Sequence, residues 1–280
     1  MTVSVPVLLY HSIDGNRSSL STDPRVFRRH MQWLHACGWQ SLSLDEFAYY
    51  VRSQRALPPR TFVLTFDDGY ESVALEVAPV LAEFGFTAAC FLCTSMIRKP
   101  LVENVPPDVG VRRFLSWDQV RDLQQRGLVE FQSHTHTHES FKGRPLRDLV
   151  NDLGASLDLL SQALRLPRTE FVHLAWPWGH SDTDERRAAA KCGLRYQYSV
   201  ARQSFHVGSD MQAIPRTCYD GTSFLHLQIQ LWLQTGMLGD VWHASYPVLR
   251  RLRRRGNDAE ISEVHPEPDV QDIAPSRKTF

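Results

Sequence analysis

Residues 130–140 read EFQSHTHTHES, so that three histidines, His134, His136 and His138, alternate with threonines. Imidazole is the commonest metal ligand among protein side chains. On an extended strand all three side chains would share one face, whereas on a helical turn only His134 and His138 would do so. The stretch alone fits a metal site, a pH-sensitive surface strip or a histidine-rich polar strand. A metal site needs a further ligand from elsewhere in the chain.

A pair of adjacent carboxylates is the candidate partner. The stretch TFDDGY places Asp67 beside Asp68. Adjacent carboxylates repel one another, and a cation between or beside them relieves that cost. Because neighbouring residues on an extended chain point apart, one carboxylate could bind a metal while the other accepts a proton. The alternative interpretation is an Asp-Asp-Gly turn on the surface.

Two imidazoles and one carboxylate would make a three-ligand site with open positions for water, which is typical of a hydrolytic metal centre. Zinc suits this ligand set best, while cobalt, nickel, manganese and iron stay open. The alternative is a histidine-rich strip that binds no metal. The carboxylates Asp67 and Asp68 make that alternative less favoured.

The elements that would position these residues alternate between strands and helices. Apolar, β-rich runs predict strands over 3–10, 61–66, 87–94, 128–132, 171–175 and 196–200, and helical spacing predicts helices over 21–37, 44–51, 71–84, 116–126, 146–164, 184–192 and 224–238. This alternation predicts an α/β fold with a parallel sheet. Because His11, Asp67, His134 and Trp178 each follow a predicted strand closely, they should meet at the carboxyl edge of that sheet.

Composition narrows the class of protein. The 280 residues include 31 basic and 31 acidic side chains, a balance that argues against a general nucleic-acid binder. No apolar run reaches the roughly 18 residues that span a membrane, and the N-terminus lacks the basic region of a signal peptide. These features predict a cytoplasmic protein.

Cys90 and Cys93 form a CxxC within an apolar strand, and we interpret them as buried thiols. The odd cysteine count argues against a disulfide framework.

The C-terminal segment differs from the rest of the chain. We predict a catalytic domain over 1–245, and over 246–280 a basic helix end followed by a disordered tail. The run LRRLRRR at 249–255 is strongly basic. It could make a weak peripheral contact with anionic lipid, or it could be a solvated helix end.

Three motifs in this order resemble the polysaccharide deacetylases, carbohydrate esterase family four. TFDDGY at 65–70 is similar to the first motif of the family, SHTHTH at 133–138 to its second, and WPWG at 176–179 to its third. The run 116–138 is also common in that family, and the resemblance covers roughly residues 5–220. It implies a distorted (β/α) barrel of about seven parallel strands that forms a single catalytic domain.

The resemblance also implies roles for individual residues. Asp67 would be the general base, and Asp68 would bind a divalent metal together with His134 and His138. His136 falls on a variable position and is left out of the ligand set. The backbone N–H of Trp178 would help to hold the oxyanion. The implied activity is removal of N-acetyl groups from an N-acetylglucosamine-type polysaccharide or glycan intermediate, with release of acetate.

Two departures from the family pattern point to one subgroup. Many members have an arginine that orients the base where this chain has Ala175, and the late Leu-x-His motif that supplies the general acid has no clear match. LLYHSI, residues 8–13, resembles the opening of the poly-N-acetylglucosamine deacetylases of biofilms, which resemble a circularly permuted form of the family. His11 is therefore the candidate acid, unless it is a hydrogen-bonded residue at a strand end. Arg216 is a candidate replacement for the missing arginine.

Further side chains are candidates for binding the substrate. Tyr70, Trp176 and Trp178 could stack on sugar faces, with Pro177 beside them, or they could pack at the barrel rim. Two other functions stay open at this point. One is hydrolysis of another amide or of an O-acetyl ester, and the other is a non-catalytic, carbohydrate-binding descendant of the family.

Overall fold

The computed structural model describes residues 4–16, 18–98, 113–206, 208–236, 241–242 and 245–246. The C-terminal tail and the basic run predicted for 246–280 lie outside these residues, apart from Tyr246 itself. Within the described ranges, no helix is both long and apolar enough to cross a bilayer.

Seven parallel strands form the central sheet. They are β1 (Val7–Tyr10), β2 (Thr61–Phe66), β3 (Ala88–Leu92), β4 (Val129–Ser133), β5 (His173–Ala175), β6 (Tyr196–Tyr198) and β7 (Thr217–Cys218). Their order across the sheet is β6-β5-β4-β3-β2-β1-β7. Each pairing is parallel, with Leu8 opposite Leu64 between β1 and β2 and Leu8 opposite Thr217 between β1 and β7. The chain therefore places β1 between the second strand and the last one.

The two ends of this sheet are joined by the segment that leads into β7. The amide of Ser199 donates to the carbonyl of Ile214 over 2.8 Å, and the amide of Ala201 donates to the carbonyl of Arg216 over 2.8 Å. The same segment continues into β7, which pairs with β1. The sheet therefore curls back on itself, and the predicted distorted barrel of parallel strands is confirmed.

Seven α-helices accompany the strands in the described residues. They are α1 (Pro24–Ala36), α2 (Leu44–Ser53), α3 (Ala78–Phe84), α4 (Trp117–Gln125), α5 (Leu146–Leu164), α6 (Thr183–Lys191) and α7 (Phe224–Thr235). Capping boxes at Ser43, Ser116 and Asp182 satisfy the first free N–H groups of three helices. A π-helical stretch, Val73–Val77, precedes α3, and short 3₁₀ turns lie at Arg168–Glu170 and Pro177–Gly179.

Short strands outside the barrel sheet complete the described part of the fold. They are Ser4–Val5 with Phe205–His206, Ser12–Ile13 with Ser21–Thr22, and Gln40–Ser41 beside β2. The single strand predicted over 3–10 is wrong in this detail. It is divided at Pro6, which has no amide hydrogen to donate, so Ser4–Val5 pairs away from the barrel.

Alternation along β2 explains how the site is supported. Phe62, Leu64 and Phe66 join the apolar cluster under α1 and α3, whereas Val63 belongs to the second cluster with side chains of the barrel interior. Because side chains alternate along a strand, Asp67 continues the inward series and lies at the top of the interior. Cys90 and Cys93 are buried and unpaired, which confirms their interpretation as buried thiols.

Candidate metal centre and active site

Asp68, His134 and His138 meet at the carboxyl ends of β2 and β4. Oδ1 of Asp68 lies 3.3 Å from Nε2 of His134 and 3.4 Å from Nε2 of His138. One ligand atom from each residue lies within 4.8 Å of the other two. The structure therefore brings together all three residues predicted as ligands, although 66 positions separate the first two in the chain.

The orientation of His134 is fixed by the strand next to it. Its Nδ1 lies 2.8 Å from the carbonyl oxygen of Ala175, so that Nδ1 carries the hydrogen and donates it. Nε2 then presents its lone pair towards Asp68. A backbone carbonyl that holds the second ring nitrogen is the usual way in which proteins orient a metal-binding imidazole.

The pKa values of the clustered residues favour the binding of a cation. Burial raises the pKa of Asp68, but the surrounding imidazoles outweigh burial, and the pKa falls well below its usual range. Burial and the neighbouring His134 lower the pKa of His138, which favours a neutral ring with a free lone pair. Oδ1 of Asp68 is buried without a hydrogen-bond partner, a costly condition that a bound ion would relieve. The three residues therefore fit a divalent metal.

Backbone strain is concentrated around this cluster. Asp68, Thr135, His138 and Trp178 all have positive φ values, between 54° and 70°. Non-glycine residues adopt such values at a cost of about 1–3 kcal/mol each, and such strain clusters at functional sites. Gly69, at φ 85°, completes the turn, and a Cβ there would lie 2.7 Å from Leu92. The Asp-Asp-Gly sequence is thus a tightly packed turn that aims Asp68 at the histidines.

Asp152 holds the histidine loop and was not identified from the sequence. Its carboxylate accepts the backbone N–H of His136 at 2.7 Å and both the N–H and the hydroxyl of Thr137. Nδ1 of His136 lies 2.8 Å from the hydroxyl of Thr94, so this ring stands outside the ligand cluster. Asp152 lies on the buried stripe of α5 between leucines. An acidic residue at such a position is the signal that could have revealed it.

Asp67 is paired with Arg216. The two guanidinium nitrogens donate to the two carboxylate oxygens over 2.6 Å each, and both side chains are buried. The guanidinium also lies over the rings of Phe91 and Tyr198. Burial raises the pKa of Asp67, but the charge of Arg216 and then that of His134 outweigh it, and the pKa is lowered. Arg216 thus reaches the carboxylate from the barrel segment before β7, and not from position 175.

His11 is paired with Asp220, another residue that the sequence did not reveal. Nδ1 of His11 lies 2.5 Å from Oδ2 of Asp220, and the backbone N–H of His11 donates to Oδ1 over 3.1 Å. Burial lowers the pKa of His11, but the hydrogen bond to Asp220 outweighs it and the pKa rises well above its usual value. The thiol of Cys218 also donates to Oδ2, over 3.3 Å. The raised pKa of His11 favours the protonated imidazolium, which is the form that can donate a proton.

The aromatic candidates occupy different environments. The ring of Trp176 is only 3% exposed and its indole N–H donates to Gln197, so it is part of the core. Tyr70 and Pro177 are also buried, and the ring of Tyr70 stacks on Phe114. Trp178 is 54% exposed and its ring lies 4.7 Å from that of His138. Of the proposed stacking residues, Trp178 has the open ring face.

A cavity of ≈ 770 Å³ extends from this loop. Its lining includes Trp178, His206 and Glu139, the residue after His138, but not Asp68, His134 or His138 themselves. The cavity therefore adjoins the ligand cluster through Trp178, whose ring contacts that of His138. Its volume can accommodate a ligand that is larger than the acetyl group.

Comparisons with known proteins agree with this geometry. A family model described as polysaccharide deacetylase matches residues 54–197. The poly-beta-1,6-N-acetyl-D-glucosamine N-deacetylase of Staphylococcus aureus is 25% identical over 80% of this chain and 76% of its own length. The Bacillus subtilis protein YxkH is 26% identical over 71% of this chain, and the match spans 64% of YxkH. The structure of IcaB from Ammonifex degensii, 21% identical, aligns with a TM-score of 0.68 over 83% of this chain and 97% of that one.

The fold and site together define a class of protein, the polysaccharide deacetylases. The family model covers more than half of the chain. The chain belongs to the polysaccharide deacetylase family.

Proposed function

We propose that this chain removes N-acetyl groups from a poly-N-acetylglucosamine polysaccharide and releases acetate. The observation that supports this most directly is the arrangement of two charge pairs around one three-residue cluster at one rim. A buried carboxylate with a lowered pKa, Asp67, and an imidazole with a raised pKa, His11, border a three-ligand cluster. Two titratable groups whose pKa values are displaced in opposite directions are the signature of an acid and a base acting together.

Asp68, His134 and His138 would hold the metal, and zinc is the ion we propose because the set combines imidazole nitrogens with a carboxylate. When bound, a divalent ion supplies Lewis-acid activation of water and of the acetyl carbonyl. Asp67 lies beside the cluster, with Oδ2 3.9 Å from Nε2 of His134. Its carboxylate would take the proton of the attacking water.

Arg216 orients that base. Both carboxylate oxygens of Asp67 accept from the guanidinium, which keeps the carboxylate ionised and fixes its plane. On the other side, His11 would give its Nε2 proton to the departing amine while Asp220 stabilises the imidazolium through Nδ1. The backbone N–H of Trp178 would donate to the carbonyl oxygen as negative charge develops there.

The metal assignment can be tested with three histidine variants. His134→Ala and His138→Ala should each bind one equivalent of zinc fewer than the wild type, whereas His136→Ala should bind as much as the wild type, because the His136 ring is bound to Thr94 outside the cluster. Zinc content after dialysis and calorimetric titration of the metal-free proteins measure this directly. A loss of zinc from His136→Ala, with as much zinc bound by His138→Ala as by the wild type, would contradict the ligand set.

The substrate can be tested by acetate release from a panel of compounds. Protein reconstituted with zinc should release acetate from β-1,6-linked N-acetylglucosamine oligomers faster than from acetylated xylan, and should leave small cyclic amides intact. The S. aureus relative, whose name specifies this polymer, supports the choice of the first substrate. Faster release from acetylated xylan would indicate an esterase. Binding of the oligomers without acetate release would indicate a non-catalytic carbohydrate-binding protein.

A further inference from the structure

A second cluster of metal-ligating atoms lies on the acid side of the active site. One ligand atom from each of His11, Cys218 and Asp220 lies within 4.8 Å of the other two. The imidazole and the thiol both contact the same carboxylate oxygen, at 2.5 and 3.3 Å. Neither the metal ligands nor the base use Cys218, so its thiol has no part in the mechanism described above.

The chemistry of this cluster favours a borderline-soft cation. Thiolate, imidazole and carboxylate together form a donor set that zinc and cobalt bind readily. Two hydrogens, one on Nδ1 and one on Sγ, now converge on one carboxylate oxygen. A divalent cation placed among the three atoms would release both hydrogens as protons to solvent, and it would be held by one neutral and two anionic ligands.

The surroundings allow entry of an ion. The imidazole of His11 is 16% exposed and Cys218 is half-buried, while the side chain of Asp220 is fully buried beneath them at the barrel rim. Cys90 and Cys93, in contrast, are fully buried within the barrel wall. The thiol of Cys218 is therefore the only one in this part of the rim that a cation could reach together with a histidine and a carboxylate, within the described residues.

We propose that His11, Cys218 and Asp220 form a second zinc site, and that zinc bound there inhibits the enzyme. Inhibition rests on the proposed function of His11 as the general acid, whereas binding does not. An imidazole that binds a metal through Nδ1 has lost its Nδ1 proton. Its remaining Nε2–H is a far weaker acid than imidazolium, so the departing amine would no longer receive a proton efficiently.

The binding can be tested with cobalt, because only this second site contains sulfur. Cobalt(II) titrated into the metal-free full-length protein should first fill Asp68, His134 and His138 without a sulfur signal. A further equivalent should produce the near-ultraviolet absorption of a thiolate–cobalt bond. That absorption should disappear in Cys218→Ser and Cys218→Ala, and should persist in Cys192→Ser, which removes another half-buried thiol. A protein without this band, or a band that persists in both Cys218 variants, would overturn the site.

The inhibitory role is tested by acetate release over a range of zinc concentrations. The zinc concentration that halves the rate should rise at least tenfold in Cys218→Ser and stay unchanged in Cys192→Ser, each measured against its own maximal rate. A sulfur–cobalt band with equal zinc sensitivity in all variants would establish the site and refute its inhibitory role. A band in a protein that releases no acetate would support the second site and refute the proposed function instead.

Discussion

The proposed base, Asp67, and the proposed acid, His11, are each held by an opposite charge, but the two pairs are built differently. Asp67 and Arg216 are fully buried and share two hydrogen bonds of equal length, 2.6 Å each. His11 shares one side-chain hydrogen bond with Asp220, and its ring is partly exposed. The first pair holds a carboxylate rigidly in its ionised form. The second leaves one ring nitrogen free to give up a proton.

One short segment supplies the charged partners that set both pKa values. Arg216 and Asp220 lie four residues apart, on either side of the two-residue strand β7. The pKa of Asp67 is lowered and that of His11 is raised, in each case against the effect of burial. Variants that remove one member of a pair at a time test whether the two pairs act independently.

Removing the base should have the largest effect. Asp67→Asn cannot accept a proton, so kcat for acetate release should fall by roughly 10²–10⁴-fold. Zinc should be retained, because Asp67 is outside the proposed ligand set. Metal content and turnover measured on the same sample check this, with His134→Ala as the variant that should lose one equivalent of metal together with turnover. Unchanged acetate release in Asp67→Asn would show that another group is the base.

Removing Arg216, the partner of the proposed base, should change the pH dependence of the rate. In Arg216→Gln the charge that lowers the pKa of Asp67 is lost and burial then raises it. The acid limb of the kcat/KM profile should move to higher pH. Breaking a buried ion pair should also lower the free energy of unfolding by about 3–5 kcal/mol. The control is Arg216→Lys, which keeps the charge without the two-point contact and should give a smaller shift. An unchanged acid limb would show that Asp67 is not the group whose titration sets that limb.

Removing the partner of the acid should have the smallest effect of the three. In Asp220→Asn the imidazolium of His11 loses the carboxylate that stabilises it, so its pKa falls. The rate should then decline at a lower alkaline pH than in the wild type, while the acid limb stays in place. The pH profile of kcat/KM is the measurement. A shift of both limbs together would mean that the two pairs are coupled through β7.

The sequence revealed the parts of the site that are encoded by local motifs. Two short stretches contain Asp67, Asp68, His134 and His138, and the residue types of the two stretches together suggest a metal. Asp220 was missed because 209 positions separate it from His11, and the pairing depends on how the barrel closes. Chain order cannot show which residues the last strand brings next to the first.

The sequence also could not show which ring of the loop that carries Trp176 and Trp178 is exposed. Trp176 and Trp178 flank the same proline, and both were candidates for stacking on a sugar. The backbone turns at Trp178, with φ 54°, so that one ring enters the core and the other stays exposed. This change of direction is a property of the turn and not of either residue type. Likewise, Pro6 divides the first predicted strand although the apolar pattern continues through it.

The closure of the barrel by residues 214–218 has a consequence for how activity could be lost. Detachment of this segment from β1 and β6 would separate the base from Arg216 and the acid from Asp220. The ligands Asp68, His134 and His138, which follow β2 and β4, would stay in register. Local opening where residues 214–218 contact β1 and the end of β6 would give a protein that still holds its metal but cannot turn over substrate. Amide hydrogen exchange at Ile214 and Arg216, compared with Leu64, would report the frequency of that opening.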